Sequence, residues 1–406
     1  MAQIAMRLVI ISLDAVFSRD AAFLLSLPAL GALAGQGVFC DRVKTIYPTL
    51  TYPIHASLTT GCYPERHGIS HNQPFGAGLP EERRPWFWEA KDIQCDTLFS
   101  QAGRAGREVA TILWPTTGHS PDIRYNLPEV KALPGENQAL KALRFGSTWW
   151  LIKTELRYGS LRHGISQPNL DDFATRAALS LIERQARIPD VLALHLTDCD
   201  SARHHHGTFS AEAQDALLRL DERVGRVTGA LKARGALEDT VVAVVSDHGQ
   251  ADIKGCVALN AWFEEQKVPA QVQTLGMGAY IRVHRGDYPL VLKALQDNMA
   301  QLRLKHIYTR EELRIMHAPE DVFLAVEPEE GFSVAEEDCE PDHKATHGFG
   351  TDHEGADCLM WLSGPMFVKG ARIESCRLVD IAPTLASAVH LHLPQAQGQV
   401  LEHLFI

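Results

Sequence analysis

VVAVVSDHGQ, residues 241–250, reads as a strand buried on both faces that breaks off into Asp247-His248-Gly249. An unbroken apolar run rich in β-branched residues fits a central strand of a parallel sheet with helices on either side. The turn after it sets a carboxylate beside an imidazole, and both are good donors to a zinc-like ion. Gly249 would permit a backbone tight enough for the neighbouring side chains to converge. A purely structural turn is the other use of these residues.

Two further runs end the same way. RLVIIS at 7–12 is followed by Asp14, and VLALHL at 191–196 leads into TDCDSARHHHG. Ligands of open α/β sheets bind beyond the carboxyl ends of the strands, so Asp14 and Asp247 fall where a site would form. Taken alone, Asp14 also suits a turn or a helix N-cap. Asp200 and His204, four apart, share one face of a helical turn and could hold one ion. Asp198 competes with Asp200 here, and His205 and His206 compete with His204.

Two more candidates stand in loops. His347 lies in ATHGFG (345–350), with His343 and His353 as rivals. Thr51 lies in YPTLTYPIHASLTT (47–60) among Thr49, Ser57, Thr59 and Thr60. A Thr hydroxyl is a weak nucleophile until a base or metal activates it, and helix capping is its ordinary role.

Strand-like runs at 7–12, 108–113, 191–196, 240–245 and 357–362 alternate with helical ones at 20–35, 92–105, 170–186, 210–234 and 379–389. That alternation predicts an α/β fold, a doubly wound, mainly parallel sheet between helical layers. Residues 49–71 read as a loop leading into a short helix. A short helix is expected at 258–265. The pattern degrades over about 114–167, where Pro, Gly and Trp114, Trp149 and Trp150 cluster as in a lid or insertion. It weakens again over about 271–341, with a strand at 278–283, a helix at 288–302 and an acidic stretch at 327–342. The expectation is one catalytic domain, 1–406, carrying these two insertions.

The 406 residues are 45% hydrophobic and 22% charged, enough for a large core, and 39 basic against 50 acidic residues give a net charge of -11. Such a surface argues against binding a nucleic-acid polymer. It still admits a small anion, because bound metal ions invert the local field. The apolar run at 6–13 is short, lacks a basic leader and ends on Asp14, so it reads as a strand rather than a signal. No run approaches the roughly 18 apolar residues of a membrane span. Cysteines 40, 62, 95, 199, 256, 339, 358 and 376 form no CxxC pair. Reduced thiols in a cytoplasmic protein with no membrane partner are expected, although the even count permits disulfides.

The segments LDA (13–15), PTLTYPIHASLTTGCYPERHGISHN (48–72), Asp200-x3-His204, SDHG (246–249) and THGF (346–349), in this order, resemble the type I phosphodiesterase/nucleotide pyrophosphatase group of the alkaline phosphatase superfamily. The likeness runs from residue 7 to about 401, includes VDIAPTLASAV at 379–389, and is thinnest in the two insertions. It implies an alkaline-phosphatase-like fold with two divalent metal ions, zinc by the type of donor. One ion would be held by Asp14, Asp247, His248 and the Thr51 oxygen, the other by Asp200, His204 and His347. Asn72 would contact a phosphate oxygen, and Tyr52 would stack on a leaving group or nucleobase. The implied reaction is hydrolysis of phosphodiester or pyrophosphate bonds in small, nucleotide-type phosphoesters. Thr51 would attack in line to give a phospho-threonine intermediate, with the metal pair clamping the attacking and leaving oxygens.

Three positions depart from the family pattern: Ala15 for the usual Gly, Leu50 for a frequent Lys or other polar residue, and Ile54 for a frequent Asn. None removes a candidate ligand. WPTT (114–117) and YNLP (125–128) look like bacterial members, where such segments help build the pocket wall. On the same scaffold the alternatives are a phosphomonoesterase or a phosphonoacetate-type C–P hydrolase. Either would favour a basic cluster in the pocket, for which Arg66, Arg124, Lys153, Arg162 and Lys344 are candidates. A cofactor-independent phosphoglycerate mutase would use Ser as nucleophile. A silent binding protein would be expected to have lost the nucleophile or ligands, and all seven positions are present. No GxSxG motif supports a serine hydrolase.

Overall fold

The strand that opens the chain, β1 (Arg7–Leu13), lies mid-sheet, flanked in parallel by β5 (Val191–Leu196) and β6 (Thr240–Ser246), with Ile10 opposite both Ala193 and Ala243. In this computed structural model, residues 6–76, 79–337 and 343–406 are described. β3 (Val109–Trp114) and β4 (Tyr125–Pro128) extend the parallel array beyond β5. On the other side, Cys358–Ser363 runs antiparallel to both β6 and β2 (Val38–Lys44), and Ala371–Ile373 closes the edge.

Alternation along the strands sorts side chains to the two faces. Val9, Ile11, Leu192, Leu194, Val242 and Val244 pack under helices Pro28–Gln36, Asn169–Arg184 and Ala211–Ala233. Leu8, Ile10, Val191, Ala193, Val241 and Val245 pack under helices Thr51–Thr60, Leu98–Arg104 and Ile381–Ala388. Each fully buried Val, Leu or Ile side chain contributes about 1.5–3 kcal/mol relative to exposure. Together these layers make the expected mainly parallel sheet between helices.

Three local expectations differ from the structure. Residues 51–60 form a helix, all of it buried, rather than a loop. Two of its polar side chains bond within the helix: Thr59 and Thr60 donate to the carbonyls of His55 and Ala56. Burial there overrides the weak helix propensity of Thr and Pro. Between 114 and 167 the chain builds β4 and the helices Gln138–Phe145 and Thr148–Tyr158. Cys256 is disulfide-bonded, against the expectation of reduced thiols, since sequence spacing cannot show which cysteines fold together. Cys40, Cys62, Cys95, Cys199, Cys358 and Cys376 are free. Cys339 and the acidic residues within 338–342 lie outside the described residues.

A second, antiparallel sheet stands beside the first, in the order Leu304–Tyr308, Leu324–Pro328, Ala279–Val283, Ala270–Thr274. Helices Leu259–Glu265 and Tyr288–Asp297 cover it through Trp262, Phe263, Val291 and Leu295. Its turn reaches the main sheet's loop: Met277 N–H donates to His347 C=O at 2.8 Å and Gly278 N–H to Gly348 C=O at 3.1 Å. Among the described residues no helix is long and apolar enough to cross a membrane.

Candidate active site

Register decides where the site falls. Leu13 is level with both Leu196 and Ser246, so β1, β5 and β6 end together and their next residues emerge at one edge. Asp14, Asp247 and His248 are buried there with their donor atoms within 4.8 Å of one another. His248 Nε2 lies 3.5 Å from Asp14 Oδ1 and 3.5 Å from Asp247 Oδ2. Thr51, first residue of its helix, brings Oγ1 to 3.2 Å from that nitrogen. Asp200, His204 and His347 make a second group, with Asp200 Oδ1 3.2 Å from His204 Nε2. Stacked rings of His248 and His347, 3.8 Å between centroids, join the two groups.

The imidazoles are oriented from behind. Nδ1 of His204, His347 and His248 meets the carbonyls of Ala345 (2.8 Å), Thr49 (3.0 Å) and Gly249 (3.3 Å). A carbonyl can only accept, so each Nδ1 donates, and Nε2 of His248 and His347 then turns a lone pair toward the cluster. Burial opposes a charge on His204, but Asp200 raises its pKa and pairs with its Nε2 in the metal-free chain. Burial lowers His248 to about 4 and His347 to about 3, which keeps both rings in the neutral, ligating form. Burial, reinforced by Asp247 and Asp200, raises the Asp14 carboxyl well above its ordinary range, and burial raises Asp247 to about 6. Asp200 stands apart: burial opposes its charge, yet the His204 imidazole paired with it holds it low.

Asp14 Oδ1 and Asp247 Oδ2 are buried with no hydrogen-bond partner. Unpaired carboxylate oxygens are costly to bury. Here they converge with neutral imidazole nitrogens, a donor set that fits a divalent cation.

Backbone conformation aims the acids. Ala15 sits at φ 57, donates its N–H to Asp247 Oδ1 at 3.1 Å, and accepts at its carbonyl from Arg203. Buried Arg203 also pairs with Asp20 at 2.6 Å. A Cβ at Gly249 would collide with Phe17 and the carbonyl of Gly355, so the glycine serves close packing. Gly348 has φ 87 and lies against the Leu275 carbonyl, which lets the second sheet grip the chain beside His347.

Most of the rivals are engaged elsewhere. Asp198 pairs with Arg219 and Arg223, each at 2.7 Å. His205 is exposed and bonds to the Ser201 carbonyl, His206 lies 3.8 Å from Glu212, and His353 stacks on Phe349. The His343 ring lies 4.5 Å from that of His204. Thr49 donates to Phe349 C=O, Ser57 to Cys62 C=O, and Thr59 and Thr60 to their own helix. Asn72 Oδ1 accepts from the Tyr52 N–H at 3.0 Å. Tyr52 is fully buried, donates its hydroxyl to Glu129 C=O at 3.0 Å, and meets Trp86 edge-on.

Three residues beside the cluster escaped the sequence reading: His195, Glu129 and Trp86. His195 Nε2 lies 3.1 Å from Asp14 Oδ2 and its Nδ1 2.9 Å from Glu129 Oε2. Burial opposes a charge on this ring, but the two carboxylates raise its pKa well above the ordinary value. The only available signal was a histidine near the end of the apolar run VLALHL. His55, whose Nδ1 meets Thr51 C=O at 2.8 Å, lies with His195 and Asp247 in a third close group.

The architecture is alkaline-phosphatase-like, and its level strand ends carry the acids and imidazoles. Residues 8–350 match the family described as type I phosphodiesterase / nucleotide pyrophosphatase, and the chain belongs to that family, whose members depend on metal ions. It is 28% identical over 251 residues to ectonucleotide pyrophosphatase/phosphodiesterase family member 1 of Rattus norvegicus, covering 58% of this chain and 23% of the rat protein. It is 24% identical over 240 residues to venom phosphodiesterase 2 of Crotalus adamanteus, covering 56% of this chain and 24% of that one. The chain thus spans about a quarter of the length of these curated relatives. The solved structure of murine ectonucleotide pyrophosphatase / phosphodiesterase 5 superposes with a TM-score of 0.74 at 17% identity, over 98% of this chain and 100% of the murine one.

Proposed function

We propose that the chain hydrolyses phosphodiester or pyrophosphate bonds of small, nucleotide-type phosphoesters, with Thr51 as nucleophile and a phospho-threonine intermediate. The observation that carries this reading is the Thr51 hydroxyl, 3.2 Å from His248 Nε2 and in one cavity with Asp14, Asp200, His204 and His347. Family membership supports it, as does the murine neighbour of the same fold whose structure was solved in complex with AMP.

Asp14, Asp247 and His248 would hold one divalent cation and Asp200, His204 and His347 another, zinc by donor type. When bound, such ions supply the positive charge that lowers a hydroxyl pKa and neutralises phosphate. Thr51 heads a ten-residue helix whose N-terminal end favours an anion. Its oxygen attacks phosphorus in line as the bond to the leaving oxygen breaks. Asn72, with Oδ1 held by the Tyr52 N–H, keeps its amide NH2 to donate to a nonbridging oxygen. Water then bonds to phosphorus, the Thr51–phosphorus bond breaks, and Thr51 regains its proton. The sum is one water consumed and one phosphate ester bond cleaved.

Of the five basic residues weighed for a terminal dianion, Arg162 alone lines the cavity over Thr51, and Glu155 pairs it at 2.8 Å. Monoester and C–P substrates therefore find less support. Thr51→Ala should lower turnover of bis(p-nitrophenyl) phosphate by about 10⁴-fold or more, with two metal ions per chain retained by elemental analysis. Turnover at the parent rate would remove Thr51 from the mechanism. Full activity with magnesium or manganese alone would remove the preference for zinc.

A further inference from the structure

Helix Thr148–Tyr158 turns Leu151 and Thr154 into the protein and half-buries Tyr158, which leaves Trp149, Lys153, Leu156 and Arg157 together on its outer face. Positions four and seven apart share one side of a helix, so these four make a single stripe. Trp149 is 79% exposed and Leu156 84%. A lone exposed leucine is ordinary. Here five of the eleven exposed large hydrophobic side chains among the described residues, Leu140, Trp149, Leu156, Leu161 and Ile165, fall within 26 positions. Apolar surface gathered in this way marks a contact.

The charges of the same stretch say with what. Residues 136–165 hold five basic and two acidic side chains, in a chain of net charge -11. Both acids are taken up locally, Glu136 by Lys141 at 2.5 Å and Glu155 by Arg162 at 2.8 Å. Arg144, Lys153 and Arg157 remain, exposed and in no ion pair among the described residues. Lys and Arg lay their stems along apolar surface while the charged ends reach past it, and an indole suits the boundary between water and lipid. A helix face that joins Trp and Leu to Lys and Arg settles in the headgroup layer of a bilayer. The acidic remainder of the chain opposes this weakly, because charges more than about 10 Å away are screened at 0.1 M salt.

The geometry points to a docking surface for an anionic lipid bilayer, with Trp149 and Leu156 among the headgroups and Arg144, Lys153 and Arg157 on lipid phosphates. The chain lies on the membrane and does not cross it. The expectation of no membrane partner came from the lack of a spanning run, which a surface contact does not need. The contact is independent of the chemistry at Thr51.

Flotation of the full chain with vesicles of phosphatidylcholine alone, or mixed equally with phosphatidylglycerol, tests this. The chain should float with the mixed vesicles, stay behind with phosphatidylcholine alone, and come off as salt is raised. Brominated phosphatidylcholine in the mixture should quench indole fluorescence, and Trp149→Ser should remove most of that quenching. The double variant Lys153→Gln with Arg157→Gln should lower the partition coefficient about 30-fold, at about fivefold for each basic side chain near the surface. Trp149→Ser should lower it about tenfold or more. Both variants should keep the parent melting temperature, since the replaced side chains are exposed. No flotation with the mixed vesicles overturns the proposal, as does flotation that neither variant weakens or that is equal with both kinds of vesicle. A dimer in sedimentation velocity that Trp149→Ser abolishes, in a chain that does not float, gives the face to a second copy instead.

Discussion

The two donor groups at the strand ends share a chemistry but not a support. Asp14, Asp247 and His248 hang directly from β1 and β6 and are buried at 3%, 0% and 0% exposure. Asp200 and His204 ride on helix Asp198–His206 with side chains 21% and 15% exposed, and His347 sits in a loop pinned by the second sheet. Metal-free, the outer group partly satisfies itself, since Asp200 faces His204 at 3.2 Å and is held in its charged form. The inner group does not, because its carboxyls are driven upward and two of their oxygens lack partners. The inner group is therefore the one whose geometry makes sense chiefly with a cation in place.

Breaking each group in turn should expose that difference. Asp247→Asn and His204→Asn should each lower turnover by about 10³-fold or more, the scale of metal assistance worth several kcal/mol. Their effects on the metal-free protein should diverge in a denaturant titration. Asp247→Asn keeps an acceptor for the Ala15 and His248 N–H groups while removing a desolvated acid, so it should stabilise the metal-free chain. His204→Asn takes the partner from Asp200 and should destabilise it. Equal shifts would erase the distinction between the groups.

Chelation comes next in size. Stripping a cation held at 100 times its Kd should cost about 2.7 kcal/mol of unfolding free energy per site. In Asp247→Asn the loss on chelation should shrink by the inner site's share. An undiminished loss would mean that the inner residues bind no metal.

His195→Gln probes the support behind the inner group. This histidine touches Asp14 and Glu129 but not the reacting atoms, so it is a positioning residue. Loss of such outer support costs about 10- to 100-fold in metal affinity or activity. Inner-site affinity should fall while outer-site affinity and KM hold. A lower melting temperature with both affinities intact would assign His195 a packing role only.

What was legible in the chain follows the same divide. Asp14, Asp247 and His248 directly follow buried strands, and strand ends can be read from hydropathy. The choice between Asp198 and Asp200 cannot, because both fit a helical turn after β5. It is settled at a distance, where Arg219 and Arg223 occupy Asp198. His347 is placed by contacts with residues 275–278, a relation no local pattern encodes. The reversed direction of Cys358–Ser363 left no trace either, since a continuous apolar run looks the same whichever way it points. Residues 51–60 read as loop because Thr and Pro are poor helix formers, and their helix exists because every residue in it is buried.

The smallest effect sharpens the comparison from the backbone. Each group has a left-handed residue next to a donor: Gly348 at φ 87 beside His347, and Ala15 at φ 57 beside Asp14. Glycine adopts that conformation freely, whereas for an L-residue it costs about 1–2 kcal/mol. The inner group thus keeps a strain that the outer group has relieved. Both ends of Ala15 hold it there, its N–H on Asp247 and its carbonyl on Arg203. Ala15→Gly should remove the strain, but the freer unfolded chain returns roughly 0.5–1 kcal/mol. The net gain should be no more than about 1.5 kcal/mol, with inner-site metal affinity unchanged. A fall in that affinity would show that the strained, fully buried alanine itself sets the angle at which Asp14 and Asp247 meet.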